Sequence, residues 1–590
     1  MKHAFTAIRP GFKSAILLMC LTFFVGSCSA QKDTSLQEPG EQKQGTGGHN
    51  NENSKIAETI YFNGSLWTGV ADRKRKSALA ISDGKIIAVG SDDAVMMRRG
   101  PQTELIDLKG LFVTPGFIDN HTHFMFGSFG LASVQLRDAK APEAFTKRIA
   151  DFAATQPKGR WIREGDWDHE LWGGELPRKE WVDAQTPDHP VFVTRLDGHM
   201  SFANSLAIEL AGITKDTPDP EGGEIVRDAN GNPAGVFKDT AMNLIFDAIP
   251  ARTNEEYDEA LKKGISHAVA NGVTQIHDMS SDEWRSLEAF RRARAKDNLG
   301  LRVYSFVPLP DWEKLPAFID AEGWGDDWLR WGGVKGLVDG SLGSTTAWFY
   351  DPYTDEPDKT GLVLQDLDLF KEWMRGADNA GLHLALHAIG DQANDWLLDA
   401  FEETVEVNGP FNSPLGERRY RIEHAQHLSR AAINRFASLG VIPSMHPYHA
   451  IDDGRWAEKR IGPERIKTTY AFADLLNAGA WLSFGSDWTV APINPLDGIF
   501  AAVTRRTIDG ANPDGWVPEQ KISLNDALRA YTVTNAFAGY QEDRLGTLES
   551  GKLADFVVLS QDLFAIPPEN LQSVYVVKTV IGGEVKYQAP

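Results

Sequence analysis

Short apolar runs alternate with helix-length segments over most of this chain, at 114–119, 274–277, 302–307, 334–338, 383–387, 421–424, 441–445 and 481–486. Strand, helix, strand alternation is the pattern of parallel βα units, and eight such units predict closure into a (β/α)8 TIM barrel. Reactive groups in such a barrel gather at the carboxyl ends of its strands. One interval breaks the rhythm. Residues 120 to 273 separate the first run from the second, far more than a βα connection needs, so a subdomain is expected to be inserted at about 130–255. Within it, Glu224-Ile225-Val226-Arg227 and Gly235-Val236-Phe237-Lys238 flank a turn-rich stretch at 228–233 and read as a hairpin.

The two ends of the chain carry a different pattern. Short strand-like runs occur at 59–62, 78–81 and 85–90, and Ser82-Asp83-Gly84 between the last two is a strong hairpin signal. Runs at 554–559 and 574–577, then a turn at Gly582-Gly583, repeat the pattern at the far end. Two half-sheets at opposite ends of one chain are expected to pair, so residues 55–113 and 546–590 predict one small β-sandwich domain beside a barrel at 114–545.

Lys2, Arg9 and Lys13 precede an uncharged apolar run at 15–25, which is shaped like a secretory signal and too short to cross a bilayer core of about 30 Å as a helix. It ends in Val25-Gly26-Ser27-Cys28, which resembles the lipobox at which bacterial lipoproteins are cut and acylated on the cysteine. Residues 1–27 are therefore expected to be a lipoprotein signal peptide and Cys28 the lipidated residue. Residues 28–54, rich in Gln, Glu, Gly, Asn and Ser, read as a flexible tether. An ordinary signal cleaved near Ser29 or Ala30 is the alternative. The lipobox implies an exported protein, lipid-anchored to a bacterial membrane and periplasmic or cell-surface. Where the cell has two membranes, Ser29 rather than aspartate after the cysteine implies the outer one.

With 60 Lys and Arg against 82 Asp and Glu, the chain carries a formal charge of −22. That opposes nucleic acid or an anionic lipid surface as a partner, and leaves the anchor as the expected membrane contact. Both cysteines, Cys20 and Cys28, precede the folded part, which therefore has no thiol for a disulfide, a cysteine-ligated metal or a nucleophile.

His121-Thr122-His123 follows the apolar Phe117-Ile118-Asp119, and residues two apart on a strand face one side. Two imidazoles side by side at a strand end make half of a metal site, although paired histidines also occur as surface polar residues. Phase adds weight: His387 closes run five, His424 run six and Asp487 run eight, each before a break of the kind found at a barrel rim. Lys335 lies between Gly332-Gly333-Val334 and Gly336-Leu337-Val338, an apolar setting that a free ammonium resists; pairing with an acid such as Asp339 is the alternative. Glu423 has the opposite strand parity from His424 and is expected to face away, in a structural role. No ligand role is assigned to His446 or His449. His199, in Asp197-Gly198-His199, and His277 are candidates for catalytic contact or oxyanion stabilisation. Asp197, Ser341 and Trp348 are candidates for substrate binding, each against a structural alternative. Trp161, Trp167, Trp172 and Trp181 are expected to pack the insert onto the barrel, with some available to line the pocket mouth for an aryl or other apolar group.

Taken together, several segments resemble the metal-dependent amidohydrolase superfamily, in the YtcJ-like branch that includes N-substituted formamide deformylases. They are Pro115-Gly116-Phe117-Ile118-Asp119-Asn120-His121-Thr122-His123, Asp197-Gly198-His199, Asp339-Gly340-Ser341-Leu342-Gly343, His387-Ala388-Ile389-Gly390-Asp391, Arg421-Ile422-Glu423-His424 and Gly485-Ser486-Asp487. Gly546-Thr547-Leu548 and Gly551-Lys552-Leu553-Ala554-Asp555 extend the resemblance, which runs from about residue 55 to 590. It implies that His121, His123 and Asp487 hold one divalent ion and His387 and His424 a second, bridged by Lys335 carboxylated on its amine. Zinc is the expected metal; manganese, iron or nickel also suit mixed imidazole and oxygen ligation. Water held there ionises near neutral pH, and Asp487 is expected to take its proton and pass it to the leaving amine. The implied activity is hydrolysis of a C–N bond, of amide or N-formyl type, in a small molecule. A lactonase, esterase or deaminase on the same scaffold is the alternative within this chemistry. A lipid-anchored solute-binding receptor, or a retired enzyme that keeps its metal, lies outside it. YtcJ-like relatives lean toward a homodimer.

Overall fold

The computed structural model describes residues 55–71, 74–195, 200–220, 223–279, 284–343 and 345–590. The expected signal peptide, Cys28 and tether lie outside the described residues, as do Asp197 and His199. Each of the predicted runs contributes a strand to one parallel eight-stranded sheet. These strands are β1 (Phe117–Thr122), β2 (Val273–Asp278), β3 (Arg302–Pro308), β4 (Leu329–Leu337), β5 (His383–Ala388), β6 (Arg421–His424), β7 (Ile442–Met445) and β8 (Ser483–Phe484), paired in chain order. The sheet closes on itself, because the Asp487 N–H donates to the His121 carbonyl at 2.8 Å and the His123 N–H to the Trp488 carbonyl at 2.9 Å. Asn535, on the helix Val533–Ala538, stitches the same seam: its Nδ2 donates to the Ile118 carbonyl at 2.5 Å and the Phe484 carbonyl at 2.7 Å.

β2 and β5 are buried at every position, which is why such strands read as runs rather than as alternation: helices cover one face and the barrel interior fills the other. The helix Leu367–Asn379 shows what makes the intervening segments helical. Asp366 caps it by accepting from the Leu369 N–H at 2.9 Å, and Phe370, Met374 and Ala377 recur along its buried face.

One boundary differs from expectation. The run at 114–119 serves two sheets: Phe112–Pro115 pairs antiparallel with Phe556–Leu559 in the small domain, and β1 starts only at Phe117. Gly116 is the crossing point. A Cβ there would stand 2.2 Å from Thr274 Oγ1, so only glycine lets the chain enter the barrel so close to β2. The later start puts His121 inside the strand and His123 at its exit.

Both chain ends meet in a β-sandwich. Its four-stranded sheet runs Lys85–Gly90, Ala78–Ser82, Thr59–Phe62, Glu104–Asp107. Its five-stranded sheet runs Ser65–Leu66, Phe112–Pro115, Phe556–Leu559, Val576–Ile581, Glu584–Gln588. Asp83 (φ 50°) and Gly84 (φ 69°) are both left-handed, as the predicted two-residue hairpin requires. Arg302 of β3 ties this domain to the barrel, its Nε and Nη2 lying 2.6 and 2.9 Å from the carboxylate oxygens of Asp555, with both side chains buried.

The insert between β1 and β2 carries its own five-stranded sheet, ordered Gly223–Arg227, Pro233–Asp239, Met200–Ala203, Val191–Arg195, Ile162–Trp167, with the expected hairpin at its edge. The tryptophans correct an expectation. Trp167, Trp172 and Trp181 surround Phe145 at 6.1, 5.7 and 6.5 Å between ring centroids, and Trp161 packs against the insert's second apolar cluster, which includes Phe192 and Ile245. They build the insert's own core, because a separate sheet needs a hydrophobic interior of its own before it can pack on anything else.

Candidate metal centre

The carboxyl end of the barrel collects the residues that the strand breaks pointed to. His121 and His123 present rings 5.5 Å apart, and Asp487, just past β8, places Oδ1 3.6 Å from His121 Nε2 and 3.4 Å from His123 Nε2. His424, closing β6, stands 5.2 Å from the His121 ring and 4.4 Å from the His387 ring on β5. Lys335 of β4 brings Nζ to 3.1 Å from His121 Nε2, and does not pair with Asp339. Asp339 instead accepts the N–H groups of Trp348, Ile389 and Gly390 at 2.8, 2.9 and 2.8 Å, which pins the loops after β4 and β5 together.

Two carboxylates hold this arrangement from below. Asp119 accepts from the Ser486 N–H at 2.9 Å and the Ser486 hydroxyl at 2.5 Å, so β1 positions the turn that carries Asp487. Glu423 was expected to face away from the barrel interior, and it does not. Its Oε2 lies 2.5 Å from His121 Nδ1 and accepts from the Ser444 hydroxyl at 2.7 Å, while Arg421 Nε sits 2.8 Å from Oε1. Parity failed because it assumed extended backbone through His424, whereas His424 (φ 72°) and Ala425 (φ 44°) are left-handed and swing the histidine back over the mouth. Asp487 is left-handed too, at φ 57°. Backbone strain of this kind is kept where the surrounding structure enforces it, and here it falls on residues of the cluster.

A model of the amidohydrolase family matches residues 104–587. The chain belongs to the amidohydrolase family. It is 38% identical to the protein LONG AFTER FAR-RED 3 of Arabidopsis thaliana, over 90% of this chain and 92% of that protein. It is 32% identical to the putative amidohydrolase YtcJ of Bacillus subtilis, over 90% and 99%. The N-substituted formamide deformylase of Arthrobacter pascens is 27% identical over 91% and 99%. Among solved structures, an uncharacterized metal-dependent hydrolase from Pyrococcus horikoshii superposes with a TM-score of 0.73 at 30% identity, covering 87% of this chain and 99% of that one. The amidohydrolase family supports a hydrolase, and the side chains at the barrel mouth can be tested for whether they suit a metal.

They do. His424 Nδ1, both ring nitrogens of His446, His449 Nε2 and Asp487 Oδ1 are buried without a hydrogen-bond partner. A buried polar atom left unpaired costs about 1–3 kcal/mol, so several in one place point to a cation that takes their lone pairs. His121, His123 and Asp487 offer ligand atoms within 4.8 Å of one another, as do His121, His424 and His446, and His424, His449 and Asp487. Protonation agrees with this. Burial and the charge of Lys335 hold His121 well below the usual imidazole value and His123 down at about 3; burial and its histidine neighbours hold His424 low as well. All three are neutral donors at pH 7. Burial pushes the Asp487 carboxyl up and the Lys335 amine down.

The other candidates lie apart from this cluster. His277 is fully buried deeper in the barrel, where its Nδ1 accepts from Arg421 Nη1 at 2.9 Å and Gln275 Nε2 lies 3.2 Å from its Nε2. Strand parity pairs His277 with Gln275 on the interior, below the rim position expected for an oxyanion contact. Ser341 is exposed in the loop after β4, and Trp348 is half-buried against the barrel core. His387 sits beside His424, with its Nε2 3.1 Å from the Gly340 carbonyl and 3.4 Å from Asp339 Oδ1, and it is in none of the three ligand groupings found among the described residues. Sequence reasoning gave Glu423 a structural role facing away, gave Asp119 no role of its own, and assigned no ligand role to His446 and His449. For the last two a signal was present: histidines three apart just past a strand end.

Proposed function

We propose that this chain hydrolyses a C–N bond of amide or N-formyl type in a small molecule, using divalent metal held at the mouth of the barrel. His121, His123, Asp487 and His424, with His387 and a carboxylated Lys335, are the proposed ligands; zinc is the preferred metal, and two ions are proposed. A bound divalent ion supplies acidified water and polarisation of the carbonyl. The chain's own groups supply the rest. Glu423 keeps the proton on His121 Nδ1, so that Nε2 presents its lone pair. Asp487 receives the proton that water gives up as its oxygen bonds to the carbonyl carbon. It returns that proton to the nitrogen as the C–N bond breaks, so acid and amine leave in balance. The observation that carries this reading is Asp487 itself: within 3.6 Å of two neutral imidazoles, with an unpartnered buried oxygen. The formamide deformylase relative supports N-formyl amines as the substrate class.

Lys335 is proposed as the carboxylated bridge because its unmodified amine donates to the same His121 lone pair that a metal needs; carboxylation replaces that competing donor with oxygen ligands. Faster recovery of stripped protein when bicarbonate accompanies the metal is the expected result, and recovery indifferent to bicarbonate removes the bridge. The amino-terminal sequence supports an exported protein anchored through Cys28. The deciding experiment sets N-formyl amines, N-acyl amines, esters and lactones against the metal-loaded protein with and without chelator. Chelator-sensitive turnover of the N-formyl or N-acyl amines is expected. Turnover confined to esters or lactones, or none at all with metal bound, refutes the proposal.

A further inference from the structure

The segment after β7 brings two histidines to the cluster, and the proposed reaction uses neither. His446 immediately follows β7, and His449 lies in the helix Pro447–Asp453. His446 is 1% exposed, and its ring centroid stands 4.7 Å from that of His121, 4.6 Å from His424 and 5.2 Å from His449. Neither of its ring nitrogens makes a hydrogen bond of full geometry, although the Gly485 carbonyl interacts with the ring. A buried imidazole ordinarily commits a nitrogen to a neighbour. His121 does so with Glu423, His383 with the Arg419 carbonyl at 2.8 Å, and His427 with the Thr469 hydroxyl at 2.8 Å. His446 has the Gly485 carbonyl for one nitrogen at most, so a nitrogen is left over in the place where other nitrogens and a carboxylate already face a common space.

Asp487 shows how two positions fit there. Its Oδ1 faces His121 and His123, and its Oδ2 lies 3.8 Å from His449 Nε2 on the other side. His121 has one free nitrogen, since Nδ1 is held by Glu423, so it serves one ion only. We propose that His446 is a metal ligand, acting with His424 and the free nitrogen of His121, whose ligand atoms all lie within 4.8 Å of one another, with His449 beside the Asp487 carboxylate. Imidazole donors select a borderline cation such as zinc, cobalt or nickel over magnesium or calcium.

This inference rests on the metal-dependent reading, and its test separates the two. Metal-stripped full-length chain, His446→Ala, His446→Gln and, as a control outside the cluster, His189→Ala are titrated with Co(II). Ligand-field absorption and retained metal are recorded, with circular dichroism to confirm folding. The unaltered chain and the control are expected to behave alike. Both His446 variants are expected to lose at least about tenfold in affinity for one equivalent, with a changed absorption band, and added imidazole is expected to restore the band in His446→Ala. A folded His446→Ala or His446→Gln that binds all its cobalt with the unaltered spectrum and affinity overturns the proposal. Unaltered chain that binds no cobalt overturns the metal-dependent reading on which it rests.

Discussion

Glu423→Gln removes one negative charge from beneath the cluster while keeping the side chain's shape, and its consequences divide according to whether metal is bound. Arg421, as fully buried as Glu423, retains the Asn120 carbonyl at 2.7 Å and the Ser444 hydroxyl at 3.1 Å but loses its carboxylate partner. An uncompensated buried charge costs about 3–5 kcal/mol, and it does so with or without metal. The second cost falls on His121. A glutamine can offer its own N–H to Nδ1, which moves the imidazole proton to Nε2, the nitrogen facing Asp487. Loss of such an orienting partner lowers metal affinity about 10–100-fold, or about 1.4–2.8 kcal/mol, and that cost exists only in the metal-loaded form. Unfolding midpoints of stripped and loaded protein, with cobalt affinity measured directly, separate the two. The stripped variant is expected to be destabilised strongly and the loaded variant by more. A loss under about 1 kcal/mol in the stripped form, the level of an exposed pair, refutes the buried-charge argument. Equal losses in both forms with unchanged metal affinity refute the claim that Glu423 orients His121.

Asp487→Asn is expected to leave the fold intact, since asparagine tolerates the left-handed backbone at this position, while turnover falls about 10²–10⁴-fold. Turnover near that of the unaltered enzyme shows that the proton travels by another group. Asp453 accepts from the Tyr470 hydroxyl at 2.6 Å and Gln426 Nε2 at 2.9 Å, and burial raises its carboxyl from 3.8 to about 7. A raised folded value means stability that is present below pH 4 and lost as pH climbs through 7. Asp453→Asn is therefore expected to be more stable than the unaltered chain at pH 8, by roughly 2 kcal/mol after halving the full conversion because the residue keeps some exposed surface, and not at pH 4. Melting curves at both values check it, and an advantage independent of pH contradicts it. Arg302→Met strands the Asp555 carboxylate between barrel and sandwich at a cost of about 3–5 kcal/mol; limited proteolysis is expected to cut the carboxyl-terminal strands first, and unchanged protection argues that the pair contributes little.

How far the site was legible in the sequence depends on what each inference assumed about the backbone. The barrel could be read because parallel strands buried on both faces leave apolar runs, and the rim because a histidine or aspartate stands at the carboxyl end of several of them: His121, His387, His424 and Asp487 all sit at such ends, and the fold brings them together. The run at 114–119 misled because apolar continuity says nothing about which sheet a strand joins, and the chain changes sheets at Gly116 without changing character. Glu423 was misplaced for the opposite reason: alternation is a property of extended backbone, and His424 is not extended. The strain that defeats the parity rule is also what lets two consecutive residues serve one site, Glu423 gripping His121 from beneath while His424 joins it from above. His446 and His449 were assigned no ligand role because they lie past the end of β7, outside the strand positions that define a rim; yet three-residue spacing at the entry to a helix brings their rings to 5.2 Å, a helical neighbour relation where strand parity paired His121 with His123. Local rules thus located the rim, and the departures from those rules, at 424, 425 and 487, lie where the side chains converge.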